Sequence, residues 1–258
     1  MIINPAGYIE TARRAAREGA AVIRSRYMLP QEIKVKADSN TLVTETDVAA
    51  ETAIIQVLTS ESDFRILSEE SGYSGKEDGP VWIVDPLDGT SNFARSLPLF
   101  AVSIALVHNN QLLAGVIADP VHDIEYYALK GEGAFYNSQP LIKNPQIDSI
   151  PVLIINHGAY AQDKVKFAAL TNMLASNYNL RKLGTTALEL CFVATGFFDG
   201  FICAGDEIWD YAAGALIAAE AGFCFTTWAG NEWDGVDNSI LVCRPELQIE
   251  LLTILSRL

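Results

Sequence analysis

Two carboxylates three residues apart, Asp85 and Asp88, stand in the stretch VWIVDPLDGTSNF over residues 81–93. The apolar run Val81–Val84 reads as a buried strand that ends abruptly in charge. Asp85-Pro86-Leu87-Asp88-Gly89-Thr90 then predicts a tight turn carrying both acids. Gly89-Thr90-Ser91 predicts a helix start whose backbone N–H groups can hold an anion. Acids beside such amides suggest metal-assisted phosphate chemistry, although an Asp-Pro-x-Asp-Gly string is also a good β-turn without any chemistry. Other acids carry the same double reading. Glu69 and Glu70 end a short strand, as ligands or as a solvated turn, while Asp47 and Asp210 each stand where a helix N-cap stands.

If Glu69, Asp85, Asp88 and Asp210 converge, they make an all-oxygen site whose hard donors select Mg²⁺ or Mn²⁺. Two such ions can clamp the attacking and leaving oxygens of an in-line displacement, with water as the nucleophile. No Ser, Cys or His nucleophile is then needed, in keeping with only three histidines and no GxSxG elbow. Phosphate monoesters demand accelerations up to about 10²¹-fold, so metals, positioned water and anion binding have to act together.

Composition narrows the partners. The 258 residues suffice for one large domain or two smaller ones sharing a core. The net charge of −14 disfavours nucleic acid and anionic membranes, and it repels a phosphorylated substrate unless cations invert the local sign. Cys191, Cys203, Cys224 and Cys243 lie in apolar contexts without a CxxC pair and read as buried reduced thiols. The N-terminus lacks the layout of a signal peptide and no apolar run has the length of a membrane span, so a cytoplasmic protein is expected.

The elements that must position the acids follow from periodicity. Asn4-Pro5 predicts a capped helix running to Tyr27, and a second helix is expected over Val48–Leu58. Lys34–Asn40 reads as a loop or short strand, Arg65–Ser68 as a strand, and Gly72–Pro80 as a flexible loop. Ala101–His108, Leu112–Ala118, Glu125–Leu129 and Ala134–Tyr136 predict an antiparallel meander. A domain boundary is expected in Asn137–Ser149, between an N-terminal α+β domain over 1–140 and a C-terminal α/β domain over 150–258 that supplies Asp210. In the second half, strands are expected over Val152–Ile155, Phe197–Cys203, Phe223–Thr227 and Ile240–Cys243. Helices are expected over Asp163–Ser176, from Gly184 to Thr195, over Trp209–Ala221, and from Pro245 onward. Together these predict a layered α/β sandwich.

LVTETD at 42–47, EES at 69–71, DPLDGTSNF at 85–93, GTTA at 184–187 and WDYAAG at 209–214 resemble the inositol monophosphatase family over nearly the whole chain. That resemblance implies a layered αβαβα sandwich of the type shared with fructose-1,6-bisphosphatase, a homodimer, and two or three Mg²⁺ ions. By position, Glu69 and Asp85 with the Leu87 carbonyl would hold the first metal, and Asp85, Asp88 and Asp210 the second. Glu69 would also reach a third ion through waters. Asp47 and Thr90 would pair to orient and activate a metal-bound water; Gly89, Thr90 and Ser91 would contact the phosphate, with Lys36 near the site.

The departures fall on the alcohol side. Glu207 and Cys203 stand where the animal inositol enzymes have a histidine and a ring-contacting glutamate, and Asn156-His157-Gly158-Ala159 lacks the expected serine. The expected activity is hydrolysis of a small phosphate monoester, inositol 1-phosphate or a related polyol phosphate. Histidinol phosphate, fructose 1,6-bisphosphate, a 3′-phosphoadenosine nucleotide and NADP are alternative substrates. An acidic regulatory protein that binds transcription machinery is the non-enzymatic alternative.

Overall fold

A computed structural model describes residues 5–36, 41–75, 79–145 and 150–258. The expected cap Asn4 lies outside the described residues, as do parts of the expected loops at 34–40 and 72–80 and of the boundary segment at 137–149.

Five layers stack in the order helix, sheet, helix, sheet, helix. The large sheet has eight strands, in the spatial order Gln139–Pro140, Gly133–Tyr136, Ile124–Leu129, Gln111–Asp119, Ala101–His108, Val81–Asp88, Arg65–Ser68 and Gly72–Ser74. Four of these, from Ala101 to Tyr136, form the expected antiparallel meander. Period-two alternation sends their side chains to two cores. Trp82, Val84, Val102, Ile104 and Leu106 pack under helices Ile9–Arg26 and Glu45–Glu61. Ile83, Ala101 and Ala105 face the other way, onto helices Thr186–Ala194 and Ile208–Glu220.

These two helices form the middle layer, and the second sheet closes it from beyond. Its five strands run Asn179–Arg181, Val152–His157, Gly200–Ala204, Ile240–Cys243 and Cys224–Thr227. Helices Ala161–Leu174 and Gln248–Leu255 cover its far face over Leu153, Ile155, Ile202 and Leu241. The small residues of Ile208–Glu220 follow from this crowding. A Cβ on Gly214 would stand 2.6 Å from Leu190 Cβ, and one on Gly115 2.8 Å from the Ala213 carbonyl oxygen. One core cluster therefore joins Leu67 and Ile83 of the first half to Ile154 and Phe201 of the second.

Several expectations need correction. The strand of Val81 does not stop at Val84 but runs to Asp88, so both acids lie on a strand and not on a tight turn. Pairing with Ala101–His108 shifts register between Asp85 and Asp88, around Pro86, which has no N–H to give the ladder. Gly72–Ser74, expected as flexible loop, pairs antiparallel with Arg65–Ser68. Leu42–Thr44 is a strand paired with Ile33–Val35, and the helix after it begins at Glu45. The first helix starts at Ile9, after a 3₁₀ turn over Pro5–Gly7. The strand expected from Phe197 begins at Gly200. Neither Asp47 nor Asp210 is an N-cap. Thr44 and Glu207 hold those positions, and each aspartate stands three residues later, reaching back to the cap. Among the described residues, no helix is long and apolar enough to cross a membrane.

Candidate active site

Strand Val81–Asp88 and the N-termini of three helices, Thr90–Ala94, Thr186–Ala194 and Ile208–Glu220, end around one open cavity of about 560 Å³. Asp85, Asp88 and Asp210 each offer an oxygen there, and these oxygens lie within 4.8 Å of one another. Local donors orient each carboxylate. Asp85 Oδ1 accepts from the Leu87 N–H at 2.9 Å, and Asp210 Oδ2 from the Glu207 N–H at 2.9 Å. Asp88 Oδ2 accepts from the Thr185 hydroxyl and, at 2.8 Å, from the Ala187 N–H.

Burial first, and then repulsion among these acids and Glu69, push Asp85 and Asp210 well above the ordinary carboxylate range. Burial likewise raises Asp88 to about 7, against the bonds from Thr185 and Ala187. Three acids crowded together, Asp85 and Asp88 buried and Asp210 half-buried, are costly as bare anions, and a divalent cation is the counter-charge that lets all three ionise. The donor set is all oxygen and lies on the floor of an open cavity. The residues therefore fit a hard cation such as Mg²⁺.

Glu69 lines the same cavity from the end of Arg65–Ser68, its N–H bonded to the Val84 carbonyl at 3.1 Å. Lys36 Nζ bridges Glu69 Oε1 at 2.8 Å and Glu70 Oε1 at 2.7 Å. Burial alone would pull this ammonium down, but the two glutamates outweigh it and hold the group above its ordinary value. Burial raises Glu70 to about 7 despite Lys36. The buried Glu51, unremarked in the sequence, fastens this turn by accepting from the Ser71 N–H at 3.0 Å and hydroxyl at 3.1 Å.

Asp47 joins two roles that looked like alternatives. Its Oδ2 accepts from the Thr44 N–H at 2.9 Å and hydroxyl at 2.6 Å, which starts the helix. Its Oδ1 accepts from Thr90 Oγ1 at 2.9 Å. The single Thr90 proton is shared with the Leu87 carbonyl, 3.0 Å away. Burial raises the Asp47 carboxyl, with the Thr44 and Thr90 bonds opposing. Gly89 precedes the short helix Thr90–Ala94 at φ +89°, and a Cβ there would come within 2.9 Å of the Leu99 carbonyl oxygen. The first amides of that helix have no intrahelical acceptor. Ser91 lines the cavity too, its hydroxyl accepting from Arg95 at 2.6 Å.

On the alcohol side the outcome is divided. Glu207 lines the cavity, whereas Cys203 does not. Cys203 is fully buried, and its sulfur accepts from the Asp206 N–H at 3.1 Å, because alternation along Gly200–Ala204 turns it inward to the helix layer. Asp206 takes that wall position instead, accepting from Thr186 Oγ1 at 2.8 Å, which in turn accepts from Asn156 Nδ2 at 2.6 Å. Behind it the buried Glu189 accepts from the Leu183 N–H at 2.6 Å and the Gly184 N–H at 3.0 Å, and burial raises it to about 8. No spacing rule identifies either: Asp206 adjoins Glu207 in the turn that leads into helix Ile208–Glu220, and Glu189 is a single acid in an apolar stretch.

Fold and site together define a layered α/β protein with a cluster of carboxylates fit to hold a hard cation. The chain belongs to the inositol monophosphatase family, whose sequence profile matches residues 5–257. It is 34% identical over 256 residues to the Nus factor SuhB of Pasteurella multocida, covering 97% of this chain and 95% of that relative. It is 38% identical over 213 residues to the inositol-1-monophosphatase of Mesorhizobium japonicum, covering 80% and 79%. The inositol monophosphatase structure from Anabaena superposes with a TM-score of 0.85 at 28% identity, over 99% of this chain and 98% of that one.

Proposed function

We propose that the chain is a Mg²⁺-dependent phosphomonoesterase acting on a small ester, with inositol 1-phosphate or a related polyol phosphate as the reference substrate. The observation that carries this reading is the convergence of Asp85, Asp88 and Asp210 within 4.8 Å beside the Thr90–Asp47 hydrogen bond. Glu69, Asp85 and the Leu87 carbonyl would hold one cation, and Asp85, Asp88 and Asp210 a second. When bound, such cations neutralise phosphate charge and lower the pKa of a neighbouring water. Thr90 Oγ1 gives its proton toward Asp47 Oδ1, which leaves its lone pairs to accept a proton from an attacking water. The amides of Gly89, Thr90 and Ser91 would hold the phosphate oxygens. Lys36 keeps Glu69 and Glu70 together at the rim. A cytoplasmic homodimer belongs to the same proposal.

The test is phosphate release from a panel of esters: inositol 1-phosphate, histidinol phosphate, fructose 1,6-bisphosphate, 3′-phosphoadenosine 5′-phosphate and NADP. Release in Mg²⁺ that stops with chelator is expected, and none from any ester defeats the reading. A second reading, an acidic partner of transcription machinery, draws support from the Nus-factor names of relatives and the net charge of −14. It gains if Asp88→Asn abolishes hydrolysis and leaves the cellular phenotype of the wild type intact.

A further inference from the structure

One part of the cavity wall comes from the end of strand Val152–His157, helix Ala161–Leu174 and the loop after Asn179–Arg181. Three lysines line the cavity of this strongly acidic chain: Lys36, Lys164 and Lys182. Lys36 is engaged by Glu69 and Glu70. Among the described residues, neither Lys164 nor Lys182 has a carboxylate ion pair.

Both lysines belong to one patch. The Phe167 ring meets the Lys182 ammonium at 5.1 Å and the His157 ring, edge on, at 4.8 Å. Lys164 lies three residues before Phe167 on the same helix, hence on the same face. Burial against this patch pulls the Lys182 ammonium below its ordinary value and Lys164 adds to the effect, while Asp206 and Glu189 oppose it. Two neighbouring ammonium groups without an ion pair repel each other, and an anion between them removes that cost. A neutral polyol gains little from them; a second phosphate or carboxylate gains charge-assisted hydrogen bonds from both.

We propose that Lys164 and Lys182 form a second anion subsite, so that the preferred ester carries another phosphate or carboxylate on its alcohol part. This rests on the phosphatase reading for the place of the scissile phosphate. The competing role for Lys182 is compensation of buried Asp206, which would appear as lost stability without any change in substrate preference.

Initial rates in Mg²⁺ on inositol 1-phosphate, fructose 1,6-bisphosphate and 6-phosphogluconate test the subsite and separate its two ligand types. At least one anionic ester should exceed inositol 1-phosphate in kcat/KM by about tenfold or more. In Lys164→Gln/Lys182→Gln that ratio should fall to about one through KM, and Lys182→Arg should retain it. A ratio near one in the wild type, or one that survives the double substitution, overturns the subsite. If no ester is hydrolysed, the phosphatase reading fails by itself. Calorimetric binding of the same esters to the same proteins then decides the subsite: tighter binding of an anionic ester, lost in the double variant, supports it, and equal binding overturns it.

Discussion

On the cavity floor, Asp85, Asp88 and Thr90 arrive from one strand end, whereas the outer wall takes Asn156, Lys164, Lys182 and Glu207 from four separate segments. Backbone N–H groups of Leu87, Ala187 and Glu207 set the floor's carboxylates. The wall's two lysines instead reach the cavity on long side chains held at most by a ring. On the phosphatase reading proposed above, a site built this way would keep its cation chemistry constant and leave its wall free to vary, because few backbone bonds depend on the wall. The comparison teaches where to look for reaction type and where for specificity.

The floor should fail most severely. Asp88→Asn removes a charge from the shared cation position, and turnover should fall about 10³-fold or more, several kcal/mol of charge stabilisation. Calorimetric titration with Mg²⁺ should show the matching loss of affinity; wild-type affinity in this variant would break the floor's assignment. Next, Thr90→Ala should lower kcat about 10²-fold with metal affinity little changed. Equal losses in both would reduce Asp47 to the helix-starting role seen in its bonds to Thr44.

The wall should respond more mildly and in a different parameter. Glu207→Gln should shift KM by up to about tenfold between esters while kcat holds, since a single polar contact is worth about 1–1.5 kcal/mol. A fall in kcat comparable to that of Thr90→Ala would erase the distinction between the two regions.

The smallest effect is one of pH. Glu189 has a folded-state value of about 8, above its ordinary 4.5, so its stabilising contribution is complete below 4.5 and is lost as pH rises to about 8. Glu189→Gln should remove that slope. Urea denaturation in chelator should show the variant gaining on the wild type between acidic and mildly alkaline pH. A parallel pair of pH curves would mean that Glu189 is already ionised when folded.

Much of the plan was legible from one dimension. The meander, the small-residue helix and a layered α/β class follow from periodicity and from alternation of apolar runs, which act over neighbouring residues, while the five-layer order was implied by the family resemblance. Asp85, Asp88, Glu69 and Asp210 were candidates as acids at element ends, where caps and turns are equally ordinary, and the ordered motifs of the family resemblance set them apart. The errors were local ones of geometry. The run through Pro86 looked like a turn, but pairing with Ala101–His108 carries the strand through a register shift to Asp88. Gly72–Ser74 looked like flexible loop, yet an open strand edge was there to pair with it.

Sequence alone picked out the acidic residues, their fitness for a hard cation and the layered class, since these rest on residue type, spacing and local propensity. Only the tertiary structure decided that Cys203 turns inward while Asp206 stands in the wall, that Asp47 starts a helix and holds Thr90 with opposite oxygens, and that Lys182 packs on Phe167 in the cavity that Lys164 also lines. Those facts depend on which face of a strand meets which helix, and on contacts between segments far apart in the chain. No local pattern encodes them, because the packing of whole layers selects them.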